Sequence, residues 1–370
     1  MSRPSFSDLA VAGVRSLKPY VPGKPVEELE RQYGVTHAIK LASNENPLGA
    51  SPKALAAIRD NLTQLERYPD DVAYTLKNLL SKQYAVMPTQ ITLGNGSSNL
   101  LELAARVFVA PGQEVVFSQY SFLLYPIIVQ AIGASPVVAA AKNFGHDLDA
   151  MRAAVTANTK LIFIANPNNP TGTWLTRAAL EDFFDRIPAH VMIVMDEAYF
   201  EFGIALGLDD YADAMLWLEK YPNVIITRTF SKAFGLAGLR VGYAVSHPEV
   251  ADLLSRVRAP FNVNSLALVA AQAALGDHLH LSNTQEVNKK GLAQLTQGLI
   301  QRGFEIVPSA ANFVCVDVQA NAAHVYEGLL REGVIVRPVA GLAQHLRITV
   351  GRPEENTRVI VALGKVTGRD

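Results

Sequence analysis

The chain has 370 residues, of which 49% are hydrophobic and 18% charged, and a formal net charge of −1. That length exceeds one average core and predicts two domains, and the composition is that of a folded enzyme rather than a disordered chain. A near-neutral charge balance gives no electrostatic basis for binding nucleic acid or an anionic membrane. The lone Cys315 lies in the strand-like run Asn312-Phe-Val-Cys-Val316 and has no partner for an intramolecular disulfide, so a reducing, cytoplasmic setting is expected. No stretch reads as an export signal, and the apolar region 127–141 is broken by Gln130, Gly133, Ser135 and Pro136, which rules it out as a spanning helix. No metal site is expected: the histidines lack zinc-type spacing, and His278 and His280 are placed on a loop without a ligating role.

In chain order, residues 1–45 hold Pro19, Pro22 and Pro25 with a short helical piece near Glu27–Tyr33, and read as an arm. Strands are predicted at Gln90–Leu93, Glu114–Ser118, Ser135–Ala140, Leu161–Ala165, Val191–Met195, Val224–Thr227 and Val241–Val245. Helical patterns fall between them at Asn99–Val109, Phe122–Ile132 and Arg177–Phe184. Nearly continuous apolar strands alternating with helices predict an α/β fold, a mostly parallel sheet covered on both faces, with ligands at the carboxyl ends of its strands. Near Pro260 this rhythm stops. A long helical stretch, 265–302, is followed by strand patterns at Glu305–Val307, Phe313–Val318, Val334–Arg337 and Leu346–Val350 and a helix at Ala322–Glu332. The division expected is therefore an N-terminal arm (1–45) joining a small α+β domain (263–370), and a large αβα domain (46–262).

The chemistry concentrates where the predicted strands end. Lys232 follows the run Asn223-Val-Ile-Ile-Thr227 and lies between hydroxyls and glycines in Thr229-Phe-Ser-Lys-Ala-Phe-Gly235. A lysine so placed suits a carbonyl compound better than solvent, provided its surroundings release the proton that it ordinarily holds to a pKa of about 10.4. Lys232 is therefore expected to carry pyridoxal phosphate as a Schiff base. Asp196 ends the apolar run Val191–Met195, and a carboxylate at the tip of a buried strand needs a cation or several donors, which a protonated pyridine nitrogen would supply. Tyr199, three residues on, could hydrogen-bond the ring's 3′ oxygen, and Asn169, from the preceding strand's loop, could donate to the same oxygen. Gly96, Ser97 and Ser98, at the start of a helix, are candidates for a phosphate, although a plain helix cap is an equal reading for the serines. Arg240 can fold back on the same phosphate with its two-pronged guanidinium. A dinucleotide fingerprint is disfavoured because Asn99 stands where the third glycine would be.

In order and spacing, Asn169-Pro-Thr-Gly172, Asp196-Glu-Ala-Tyr199, and Ser231-Lys232 with Arg240 resemble the fold-type I pyridoxal-phosphate aminotransferases. Leu41-Ala-Ser-Asn-Glu-Asn-Pro-Leu-Gly49, Glu66-Arg-Tyr-Pro-Asp70, Arg258-Ala-Pro-Phe-Asn-Val-Asn264 and Val336-Arg-Pro338 narrow the resemblance to the histidinol-phosphate aminotransferases. The resemblance spans nearly the whole chain. It implies that Lys232 moves the substrate proton, that Asp196 holds the pyridinium, and that Asn169 and Tyr199 bind the 3′ oxygen. Tyr120 would stack on the ring. Gly96, Ser97, Ser98, Ser231 and Arg240 would hold the cofactor phosphate, joined by Tyr68 from the second subunit of a homodimer. Tyr20, Asn44, Arg337 and Arg347 would bind substrate, Arg347 a carboxylate and Arg337 with Tyr20 the substrate phosphate. The implied reaction is the ping-pong transamination of a histidinol-phosphate:2-oxoglutarate aminotransferase in histidine biosynthesis, in which glutamate leaves its amino group on the cofactor and imidazole-acetol phosphate collects it.

The chain departs from that pattern in a short segment, Pro338–His345, in Phe234 where a tyrosine is common, and in Ser98-Asn99 where a more acidic pair is common. Only the first lies beside a substrate residue. Transamination of phenylalanine or tyrosine is the alternative on the same cofactor, and decarboxylation of a phosphorylated amino acid a weaker one, which a glutamate-binding Arg347 argues against. A non-catalytic binding protein is disfavoured by Lys232, Asp196 and Arg240 occurring together.

Overall fold

The computed structural model describes residues 5–19, 23–208 and 210–369. Seven strands form the larger sheet: β1 (Ile91–Gly94), β2 (Glu114–Ser118), β3 (Ser135–Ala139), β4 (Thr159–Ala165), β5 (Met192–Asp196), β6 (Val224–Thr229) and β7 (Gly242–Val245). Their spatial order is β1-β7-β6-β5-β4-β2-β3, with β7 antiparallel to both neighbours and every other pair parallel. All seven expected strands occur. Strict two-residue alternation gives the sheet two cores. Val194 and Ile225 pack toward the helices Ser97–Phe108 and Leu124–Ala131, whereas Ile193, Met195, Val224 and Ile226 pack toward the opposite layer. Each fully buried aliphatic side chain there contributes about 1.5–3 kcal/mol of apolar burial, which is why the central strands read as continuous apolar runs.

The smaller sheet contains β8 (Glu305–Val307), β9 (Phe313–Asp317), β10 (Arg337–Pro338) and β11 (His345–Thr349), ordered β8-β9-β11-β10 and antiparallel throughout. The single strand expected over 334–337 is divided. Val334–Ile335 pairs in parallel with Ile39–Lys40 of the arm, and only Arg337–Pro338 joins β11. The arm is thereby tied to the smaller sheet, and Leu29 packs with Ala42, Leu330 and Ile335. Cys315 is buried in β9, where desolvation pushes its thiol up to about 12.

The helical stretch expected over 265–302 is two helices, Ser265–Leu275 and His278–Ile300. Asp277 separates them and caps the second, accepting from the His280 backbone N–H at 3.4 Å. His278 and His280 therefore open a helix rather than sit on a loop. Ala267, Leu268, Ala271 and Leu275 pack in the core of the larger sheet, while Leu292, Leu295 and Leu299 pack in that of the smaller one. We accordingly place the division between the domains within 276–291, one helix later than the boundary read at 262/263, because apolar spacing alone does not say which sheet a helix covers.

Candidate active site

A cleft of about 190 Å³ opens at the carboxyl ends of β4, β5 and β6, where it meets residues of the arm and of β10 and β11. Asp196, Tyr199, Asn169, Ser97, Ser98, Ser231, Lys232, Arg240, Asn44, Arg337 and Arg347 all line it. Among the described residues lining it, Asp196 is the only carboxylate beside one lysine and three arginines. The cleft is therefore built for anionic ligands.

One end is a cradle. Gly96 precedes the helix Ser97–Phe108 with φ +80° and ψ 164°, a backbone region that is essentially glycine's alone. A β-carbon there would stand 2.4 Å from Nη2 of Arg240, so the glycine permits the arginine to approach the first turn of the helix. Arg240 Nη1 donates to Ser231 Oγ at 3.1 Å and to the Ala237 carbonyl at 3.1 Å. Unpaired N–H groups at the helix start, two serine hydroxyls and a guanidinium converge as a phosphate requires. The serines lie inside the helix, and the capping position belongs to Gly96.

Asp196 is buried, and desolvation raises its carboxyl to about 6 against the lowering pull of the Tyr125 hydroxyl, the Ala198 N–H and Thr227. Tyr125 donates to Oδ2 at 2.9 Å, and the Thr227 hydroxyl lies 3.5 Å from Oδ1. Sequence reasoning missed Tyr125. It is fully buried and stacks on Phe163 with ring centroids 4.5 Å apart, a core signature that concealed its polar end. Lys232 donates from Nζ to the Ser43 carbonyl at 2.9 Å. Desolvation, then the nearby Arg347 and Arg240, push its ammonium from 10.5 down to about 7. An amine that is partly free near neutral pH is a competent nucleophile and proton carrier.

Asn44 joins the two domains at this point. Its side chain donates to the Tyr199 hydroxyl at 2.7 Å and accepts from the Thr349 hydroxyl at 3.0 Å. Its polar groups are thus engaged in orienting Tyr199. Arg347 donates to Asn169 Oδ1 at 2.5 Å and to the Ala42 carbonyl at 2.6 Å. Asn169, Arg347 and the arm therefore form one connected wall.

Two expected residues stand elsewhere. Tyr120 does not line the cleft. Its ring lies 6.3 Å from that of Phe144 and packs beside Val307, Cys315, Val339 and Leu342. Phe122, two residues further on, faces the cleft instead and is the aromatic side chain available to a planar ring there. The strand ends at Ser118, and the path of the following loop, invisible in the sequence, selects between the two aromatics. Tyr68 is 80% exposed and stacks on Phe261, with centroids 4.6 Å apart, outside this cleft. Tyr20 lies outside the described residues.

The fold and this site define a class: an α/β transferase of fold type I, built around one partly buried lysine and an anion cradle. The chain belongs to the family of aminotransferases of class I and II, whose model matches residues 36–363. It is 56% identical over 368 residues to "Histidinol-phosphate aminotransferase 1" of Nitrosococcus oceani, covering 99% of each chain. It is also 56% identical over 369 residues to "Histidinol-phosphate aminotransferase 2" of Pseudomonas fluorescens, with 99% of each covered. Among solved structures it resembles the histidinol-phosphate aminotransferase of Sinorhizobium meliloti in complex with pyridoxal-5′-phosphate. That match has a TM-score of 0.89 at 31% identity over 97% of each chain. None of the described helices is long and apolar enough to cross a membrane.

Proposed function

We propose that this protein is a pyridoxal-phosphate-dependent histidinol-phosphate:2-oxoglutarate aminotransferase. The observation that carries the reading is a cleft with anion-binding groups at two ends: the Gly96–Ser98 cradle with Arg240 at one, and Arg337 with Arg347 at the other. One end suits the cofactor phosphate. The other suits a substrate bearing either a phosphate or a carboxylate, since a guanidinium fork matches both. The relatives at 56% identity bear the name of this activity.

The residues present fit the cofactor. Asp196 is a buried carboxylate aimed into the cleft and suited to a ring N–H⁺, and Phe122 offers an aromatic face. Tyr199 and Asn169 offer polar groups beside Lys232 for the ring's 3′ oxygen. When bound, pyridoxal phosphate supplies an electron sink that lets a hydrogen on the amine-bearing carbon leave as a proton. Lys232 Nζ is the proton carrier, because its lowered pKa lets it accept a proton near neutral pH and return it to a neighbouring atom. Asn44 holds the Tyr199 hydroxyl in place during that exchange. Arg347 orients a carboxylate of glutamate, and Arg337 the phosphate of the alternative substrate. Ping-pong exchange follows, since one cleft serves both substrates in turn.

A homodimer is part of this proposal, with the exposed stack of Tyr68 on Phe261 reaching the partner's cofactor phosphate. A cytoplasmic setting, as for a biosynthetic enzyme with one buried thiol, completes it. A second reading, transamination of phenylalanine or tyrosine, is favoured by the apolar pocket that Phe122, Leu123, Val339 and Ala340 form beside Arg337. The deciding measurement is kcat/KM for histidinol phosphate, phenylalanine and tyrosine with 2-oxoglutarate. Histidinol phosphate is expected to lead, and an aromatic amino acid ahead by more than about tenfold, ~1.4 kcal/mol of transition-state preference, overturns the assignment.

A further inference from the structure

Asp196 and Glu197 are neighbours in sequence on opposite faces of the larger sheet. Asp196 follows Val194 toward the cleft side, and Glu197 follows Ile193 and Met195 toward the other layer. The adjacent strand repeats this. Thr227 stands in register with Asp196, and Arg228 points to the far side with Glu197. There the Arg228 side chain, with no exposed surface, donates from Nε (2.9 Å) and Nη2 (2.6 Å) to Glu197 Oε2, and from Nη2 to Asp213 at 2.5 Å. Its guanidinium carbon lies 3.4 Å from the centroid of the Phe200 ring. The second Glu197 oxygen accepts from the Ala214 N–H at 3.2 Å, so both oxygens of this carboxylate are held.

A buried ion pair contributes little net stability, because desolvating both ions offsets their attraction. Its geometric consequence here is specific. Glu197 donates its backbone N–H to the Thr227 carbonyl at 2.9 Å. The next N–H in the chain, that of Ala198, and the hydroxyl of Thr227, the residue before Arg228, both address the Asp196 carboxylate. We propose that the Arg228–Glu197 pair is a positioning device for the cofactor site. Clamping the two strand ends from the far face, it fixes the Ala198 N–H and the Thr227 hydroxyl that aim Asp196 at the cofactor ring nitrogen. Neither residue lines the cleft. This rests on the pyridoxal-phosphate reading above.

The test is a double-mutant cycle on cofactor affinity, measured by titrating cofactor-free protein with pyridoxal phosphate and following its visible band. Glu197→Gln keeps the shape but cannot accept from both Arg228 and Ala214. It is expected to weaken binding about tenfold, and Asp196→Asn/Glu197→Gln to bind as Asp196→Asn alone does, because neighbours acting through one group are non-additive. Arg228→Lys, which keeps the charge but not the three-bond fork, is expected to show the same non-additivity and replaces Glu197→Gln if that variant does not fold. Losses that add, or a lowered melting temperature with affinity within about twofold of wild type, reduce the pair to a structural role and overturn the proposal. Wild-type protein that takes up no pyridoxal phosphate overturns the functional reading and this inference with it.

Discussion

Arg337 and Arg347 are direct register partners on the antiparallel strands β10 and β11, and both guanidiniums line the cleft. Like charges placed opposite one another across a strand pair destabilise the sheet. In this cleft an anionic ligand held by both guanidiniums would offset it. Arg347 donates to Asn169 and to the Ala42 carbonyl, and Arg337 adjoins the Pro338–Ala340 segment.

The pair should therefore separate the two substrates. Arg337→Gln is expected to lower kcat/KM for histidinol phosphate roughly 10–150-fold, the range of a lost charge-assisted contact. Its effect on the glutamate half-reaction should be several times smaller. Arg347→Gln should depress both. Equal losses for the two substrates in Arg337→Gln would remove it from the substrate phosphate site.

Lys232 makes the cofactor-free protein sensitive to pH in a defined direction. Desolvation, Arg347 and Arg240 lower its pKa from 10.5 to about 7. Between those values the unfolded chain binds a proton that the folded protein has released, so this group raises stability as pH climbs from about 7 to 10.5 and contributes no slope well below 7. Urea unfolding of the cofactor-free protein across that range, compared with Lys232→Met, isolates the effect. The variant should be flatter with pH than wild type, and parallel curves would show that the amine titrates normally.

The exchange of Tyr120 for Phe122 at the cleft can be read directly. Phe122→Leu should weaken pyridoxal phosphate binding by about 0.5–1.5 kcal/mol, roughly 2–12-fold, the worth of an aromatic pair beyond its buried area. Tyr120→Leu, whose side chain packs beside Val339 and Leu342, should leave cofactor affinity near wild type. Titrating both cofactor-free variants decides the matter, and the opposite ranking would return the stacking role to Tyr120.

At Gly96 a single methyl group suffices. Gly96→Ala forces a φ of +80° on a residue with a β-carbon, at a cost on the order of 1–3 kcal/mol, and that carbon meets Arg240 2.4 Å away. Loss of cofactor affinity should exceed loss of melting temperature, since Arg240 is displaced from the cradle. Gly96→Ala that binds pyridoxal phosphate as wild type does would show that Arg240 is not part of the phosphate site.

Much of the site was legible because its chemistry is carried by short runs at strand ends. A charged residue closing an apolar run, as Asp196 does, is conspicuous for the same reason that it is costly to bury. Lys232, Arg240 and the Gly96–Ser98 turn were visible in this way, and so were all seven strands of the larger sheet. Tyr125 was hidden, since one hydroxyl on a helix face otherwise made of core residues carries no periodic signal. The same applies to Arg228, which interrupts a buried strand as a charge with no visible partner until Glu197 and Asp213 are brought to it in space.

By itself the sequence determined local matters: which segments are strands or helices, where the strand ends place polar groups, and which chemistry those groups can perform. These follow from apolar spacing and backbone preference, which act over a few residues. Only the tertiary structure decided which aromatic faces the cleft, that one predicted strand serves two sheets, and that Arg337 stands against Arg347. Those outcomes depend on loop paths and on pairing between segments far apart in the chain, as with Asn44 and Thr349. Contacts of that kind are made by packing the whole chain and leave no local periodicity behind.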